Sequence, residues 1–155
     1  MFTGITTEIC QQAWEIITPS LAAASKDGVT NNHAGTVIVL DPQTEEVIFS
    51  AVIDSEHEKA LMYSEIAKAK AEVSRRTGMP SSLVQTQDPD LYVEGDTNWG
   101  GSTVDEGGLV VAFSGVQAVF DEMIAEWMAS AIRAICRDQM TEVMVADGSF
   151  LLNQS

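Results

Sequence analysis

Two adjacent acids and two histidines are the residues of this chain best suited to proton chemistry. Asp121 and Glu122 are neighbours in a segment of helical period, so their side chains point about 100° apart and form no close dyad unless a third group meets one of them. Asp121 reads otherwise as part of a solvated helix face. Glu122 has two readings. In a pocket shielded from water its pKa rises and it suits proton transfer near neutral pH; paired with a base of the preceding long helix, it is structural. His57 stands among Glu56, Glu58 and Lys59, where the neighbouring acids favour imidazolium. It reads as a general acid/base, as an axial metal ligand, or as a solvated residue at a helix start. His33, in Asn31-Asn32-His33, reads as exposed and inert. The candidate catalytic set is therefore His57, Asp121 and Glu122. Around it, Gly100-Gly101 can present backbone N–H groups to an anion, and Trp99 is an aromatic in a glycine-rich loop, suited to contacting a ligand or partner. The expected pocket lies between His57 and Leu61, the Trp99-Gly100-Gly101 loop, and Gln117, Asp121 and Glu122, with Leu61, Trp99, Gly100, Gly101 and Gln117 as ligand contacts. Cys10 and Cys136 sit on apolar helix faces outside any CxxC or Cys/His spacing, so buried free thiols and no metal site are expected.

The elements that must position these residues follow from periodicity. Ile5, Ile9, Ala13, Trp14, Ile16, Ile17 and Leu21 recur at helical spacing over Thr6 to Lys26, with Pro19 expected to kink or break that helix after Thr18. Thr36–Leu40 and Val47–Ile53 read as strands joined in a hairpin by Asp41-Pro42-Gln43-Thr44. Ser55–Thr77 reads as a long helix capped by Ser55 and closed by Gly78. Its stripe of Ala60, Ser64, Ala67, Ala71 and Ser74 allows close approach to a sheet or a second helix. Leu83-Val84 suggests a helical turn and Leu91–Val93 a strand. Glu94 to Thr103 is rich in turns, and Leu109–Ser114 is a buried strand. Gln117–Arg137 is an amphipathic helix packing through Phe120, Ile124, Trp127 and Ile135. Met62, Met123 and Met128 read as core gap-fillers. Neither GxGxxG nor GxxxxGK[ST] is present.

A chain of 155 residues is one domain, read as residues 1–137 with a tail, 138–155, that packs on the domain or on a partner subunit. The order helix, hairpin, helix, strands, helix predicts an α/β fold with an antiparallel sheet flanked by helices. Acids outnumber bases 23 to 8, for a net charge of −15, which argues against nucleic acid as a partner. No apolar run reaches the ~20 residues of a membrane span, and the first residues lack a basic segment before an apolar one. The expectation is a cytoplasmic protein with no membrane partner.

Lys70-Ala71 followed by Gly78, Pro80 and Ser81, then Gly100-Gly101, Ser114-Gly115 and Asp121-Glu122-Met123-Ile124-Ala125, resemble in order the signatures of the GlcG/HbpS-like family. The resemblance spans roughly Ile5 to Ile135. It implies a profilin-like α/β/α sandwich, a homo-oligomer, and haem or another flat organic ligand in a pocket at the oligomer interface. The alternative is a cofactor-free isomerase, cyclase or lyase acting on a small metabolite. The chain departs from the family pattern at Leu109, Ala112 and Val116, where glycine is usual, and at Val73, where threonine is usual.

Overall fold

The structure, a computed structural model, describes residues 4–146. Its elements are α1 (Thr7–Lys26), β1 (Gly35–Leu40), β2 (Val47–Ile53), α2 (His57–Thr77), α3 (Ser81–Gln87), β3 (Ser102–Val104), β4 (Val110–Ser114) and α4 (Ala118–Ala146), with a 3-10 turn at Pro89–Leu91. The strands form one sheet in the order β2-β1-β4-β3, and every pairing is antiparallel.

Residues 37–40 of β1 and 110–113 of β4 are apolar without a break because both faces of these strands are covered. Val37, Val39, Val111 and Phe113 meet the apolar stripes of α1 and α4, through residues such as Ile9, Trp14, Ile124 and Met128. Ile38, Leu40, Val110 and Ala112 meet Ala67 and Ala71 of α2 on the opposite face. The result is the expected antiparallel sheet between helix layers. The small-residue stripe of α2 lies against this sheet, so close approach is used within the chain. The usual glycine sites Leu109 and Ala112 are filled by buried side chains.

Several local expectations are corrected. α1 runs unbroken through Pro19, whose lost hydrogen bond is outweighed by Ile17 and Leu21, buried on either side of it. Glu56, not Ser55, precedes α2 at its cap position; the Ser55 hydroxyl donates instead to Ile53 O at 2.7 Å. Leu91–Val93 forms no strand, because Pro89 starts a 3-10 turn there. A strand, β3, arises instead from Ser102–Val104 in the turn-rich stretch. Met62 is exposed. α4 continues past Arg137 to Ala146, and the rest of the tail, with its apolar residues Phe150, Leu151 and Leu152, lies outside the described residues. Among the described residues no helix is long and apolar enough to cross a membrane.

Candidate functional site

Lys70 and Asp121 form a buried ion pair at the junction of α2, β4 and α4. Lys70 is 1% exposed and Asp121 3%. Lys70 Nζ donates to Asp121 Oδ2 at 2.9 Å and to Phe113 O at 3.1 Å. Asp121 Oδ1 accepts the Val116 N–H at 3.0 Å. Burial pushes the Asp121 carboxyl up and pulls the Lys70 ammonium down, each partner's charge opposing the other's shift.

Gly101 lies directly over this pair. A Cβ there would stand 2.7 Å from Lys70 Nζ, 2.8 Å from Phe113 O and 2.9 Å from Asp121 Cβ, and the residue has φ +139°, so the lysine reaches its partners only beneath a glycine. A second polar seam fixes the loop. Ser102 Oγ gives its single proton to Lys70 O at 2.8 Å, so Ser74 Oγ is the donor across the 2.6 Å contact between the two hydroxyls. Ser102 N donates to Ser81 Oγ at 3.1 Å.

Above the pair a groove of about 260 Å³ opens, lined by Tyr63 and Ile66 of α2, Trp99, and Val116, Gln117 and Asp121 at the start of α4. Trp99 is 62% exposed. Of the residues expected at the site, Trp99, Gln117 and Asp121 line this groove, and Gly101 sits beside its floor. Gly100 is buried next to Ser82 and Ala118. Gln117 also holds the loop before β1, its Oε1 accepting the Asn31 N–H at 3.0 Å.

The structure does not bring His57, Asp121 and Glu122 together within the chain. His57 is exposed at the start of α2 and, like the exposed Leu61, does not line the groove. Glu122 accepts the Ser82 hydroxyl at 2.5 Å, so the acid that pairs with a base of α2 is Asp121. Asp121 is not on a solvated face, because it precedes Ile124, Ala125 and Met128 at buried helical spacing. Lys70 is the residue missed as a site residue. Its signal is its place three residues after Ala67 and four before Ser74, on the stripe that faces the sheet. His33 is half-buried, not free in solvent, and its Nδ1 lies 3.0 Å from Asp54 Oδ2. Cys10 and Cys136 are free thiols; burial pushes Cys10 up to about 12. Among the described residues no group of three or more His, Cys, Asp or Glu is placed to hold a metal ion.

No family model matches the sequence, and no curated protein matches it. Solved structures do. The chain superposes on HbpS with a TM-score of 0.59 and 23% identity, over 84% of this chain and 91% of the other. Klebsiella pneumoniae protein ORFY gives a TM-score of 0.61 at 14% identity, over 86% and 94%. A PduOC:haem complex gives 0.53 at 17% identity, over 83% and 95%. The chain therefore has the fold of HbpS and these proteins, the fold that the motif resemblance implies. The motifs that carry that resemblance meet in space: Lys70, Gly101, Ser114 and Asp121 all surround the ion pair or line the groove over it.

Proposed function

We propose that this chain is a GlcG/HbpS-like small-molecule-binding protein that holds a flat organic ligand, of which haem is the leading example, in the groove between α2, Trp99 and the start of α4. The observation that carries the reading is Trp99, a large aromatic left in water beside a groove whose floor is locked by the Lys70–Asp121 pair. An exposed indole at the rim of a rigid groove offers a stacking surface at little cost in ordering. The haem complex of PduOC, a protein of the same fold, supports the choice of ligand class.

The groove residues fit haem in one respect that is testable. Tyr63 lines the groove, and a tyrosine phenolate is an established type of axial ligand to haem iron. Haem, when bound, would supply the redox-active iron. The chain would supply the stacking face of Trp99, the phenol of Tyr63, and the side-chain amide of Gln117 for polar groups at the rim. Val116, where the family pattern has glycine, narrows the same groove. At about 260 Å³ the groove is just below the ~300–1,000 Å³ of enclosed ligand pockets. It covers one face of a tetrapyrrole, and a second copy of the chain would cover the other.

The cofactor-free acid/base reading is the weaker one for this groove. Asp121 is held by Lys70 and Val116, Glu122 by Ser82, and His57 stands outside. Titration with haemin tests the binding reading. A saturable shift of the Soret band is expected, weakened about tenfold or more in W99A. Y63F should alter the Soret position while sparing the binding of iron-free protoporphyrin. E122Q should bind as the wild type does. Failure of both haemin and protoporphyrin to bind saturably would overturn the proposal.

A further inference from the structure

On another side of the molecule, a cleft of about 440 Å³ is lined by Trp14, Thr18, Pro19 and Ala22 of α1, by His33, and by Val52, Ile53 and Asp54 at the end of β2. His33 Nδ1 is 3.0 Å from Asp54 Oδ2. An ionised carboxylate only accepts hydrogen bonds, so Nδ1 carries a proton, and in the neutral imidazole Nε2 presents its lone pair. Among the described residues Nε2 has no hydrogen-bond partner.

Two local features hold the backbone on either side of this pair. Asp54, whose side chain is 75% exposed, has a positive φ of +35°, a conformation that Asp adopts more readily than most non-glycine residues; the Ser55 hydroxyl on Ile53 O braces that turn. The loop that carries His33 is fixed on its other side. Asn32 Oδ1 accepts the His33 N–H at 2.9 Å, Asn32 Nδ2 donates to Gly115 O at 3.3 Å, and Thr30 Oγ1 donates to Asn32 O at 3.1 Å.

We infer that the His33–Asp54 pair and the Trp14 cleft form a second ligand site, which takes a neutral aromatic or enolic hydroxyl compound and accepts its proton on His33 Nε2. The class follows from the walls and the charge. Trp14, Pro19, Ala22, Val52 and Ile53 offer apolar contact, and the Asp54 carboxylate at the same cleft disfavours a ligand that arrives as an anion. The O–H proton passes to Nε2, leaving an oxyanion beside an imidazolium whose charge Asp54 balances through Nδ1–H. No other reactant is consumed. The oriented imidazole is then a general base.

4-Nitrophenol is a suitable probe, because its ionised form is coloured. With 15N-labelled full-length protein, we expect saturable shifts of the Trp14 indole N–H signal. We also expect a rise in phenolate absorbance at a fixed pH where the free probe is mainly neutral. H33Q should weaken binding about tenfold or more and abolish that rise. D54N, which keeps an acceptor for Nδ1–H without the charge, should retain binding and lose most of the ionisation. The inference is overturned if the Trp14 signal does not move, or if a well-dispersed H33Q spectrum shows unchanged affinity. Shifts at Trp99 alone would place the probe in the α2–α4 groove, sinking this inference and leaving the groove reading intact.

Discussion

Lys70 and Asp121 hold opposite charges out of water, and this sets the effect of each substitution. Removing the cation in K70M leaves a carboxylate buried with only backbone partners, a change that costs about 3–5 kcal/mol. The double variant K70M/D121N removes both charges and keeps an acceptor for Val116 N–H. It should recover at least about 1 kcal/mol of the single variant's loss, and urea unfolding of the four proteins checks this; additive losses would show that the two residues do not act as a pair. Arg76 and Asp96 behave differently. The Arg76 guanidinium holds the Asp96 carboxyl below its ordinary value, tying α2 to the loop before β3. A depressed folded-state pKa stabilises above the unfolded value, about 3.9, and that contribution is lost as pH falls through the folded one. Asp121 and Glu126, both raised by burial, work in the opposite sense, so the comparison must isolate Asp96. D96N should lower the urea midpoint at pH 7 and show a shallower further loss than the wild type between pH 5 and pH 3; parallel acid limbs would refute it. Much of this chemistry was readable in advance only by type. Asp121 and Trp99 stood out as candidate site residues, but Lys70 stood only in a family motif and carried no role of its own. Its burial depends on an acid 51 positions away, which composition does not reveal and at which helical phase and the family motif alone hint.

Helix phase and β-branched runs mark α1, β1, β2, α2, β4 and α4 clearly, because each buries a face large enough to leave a periodic imprint. β3 leaves none. It has three residues, Ser102–Val104, and its place at the sheet edge is fixed by hydrogen bonds of Ser102 and by the Gly101 O that accepts the Phe113 N–H at 2.9 Å. The same lack of periodicity made Leu91–Val93 look strand-like. What holds β3 and its preceding loop is the glycine crossing over Lys70, so the strongest element-level prediction concerns Gly101. G101A adds a methyl group where three atoms lie within 3 Å, on a backbone of φ +139°. The backbone strain and the overpacking together should cost about 2–4 kcal/mol. The loss should appear as faster amide exchange in β3 and at Phe113 as well as a lower melting temperature. G108A, at another left-handed glycine but with only Pro42 Cβ at 3.8 Å, should cost less. Equal losses would show that strain alone, and not the fit over the ion pair, accounts for the glycine.

The whole molecule carries a net charge of −15 and still leaves large apolar side chains in water. Leu61 and Met62 on α2, Trp99 beside the groove and Val119 at the start of α4 are all exposed. The small-residue stripe of α2, which from sequence could approach a sheet or a second helix, is used against the sheet, so contact between copies would use exposed groups of this kind. Such an association has a definite dependence on salt. Like-charged copies repel at low ionic strength, and screening over a Debye length of about 8 Å at physiological salt removes most of that repulsion, while apolar contact is hardly weakened. We therefore predict that light scattering gives a mass above the 16.7 kDa of one chain, rising with salt and with protein concentration. W99E, which puts a further negative charge where the groove meets solvent, should shift the equilibrium toward the single chain at every salt concentration without lowering the melting temperature of the monomer. A mass of one chain throughout, in low salt and high, would mean that the groove has one wall only, and that whatever it binds is held by Tyr63, Trp99 and Gln117 of a single copy.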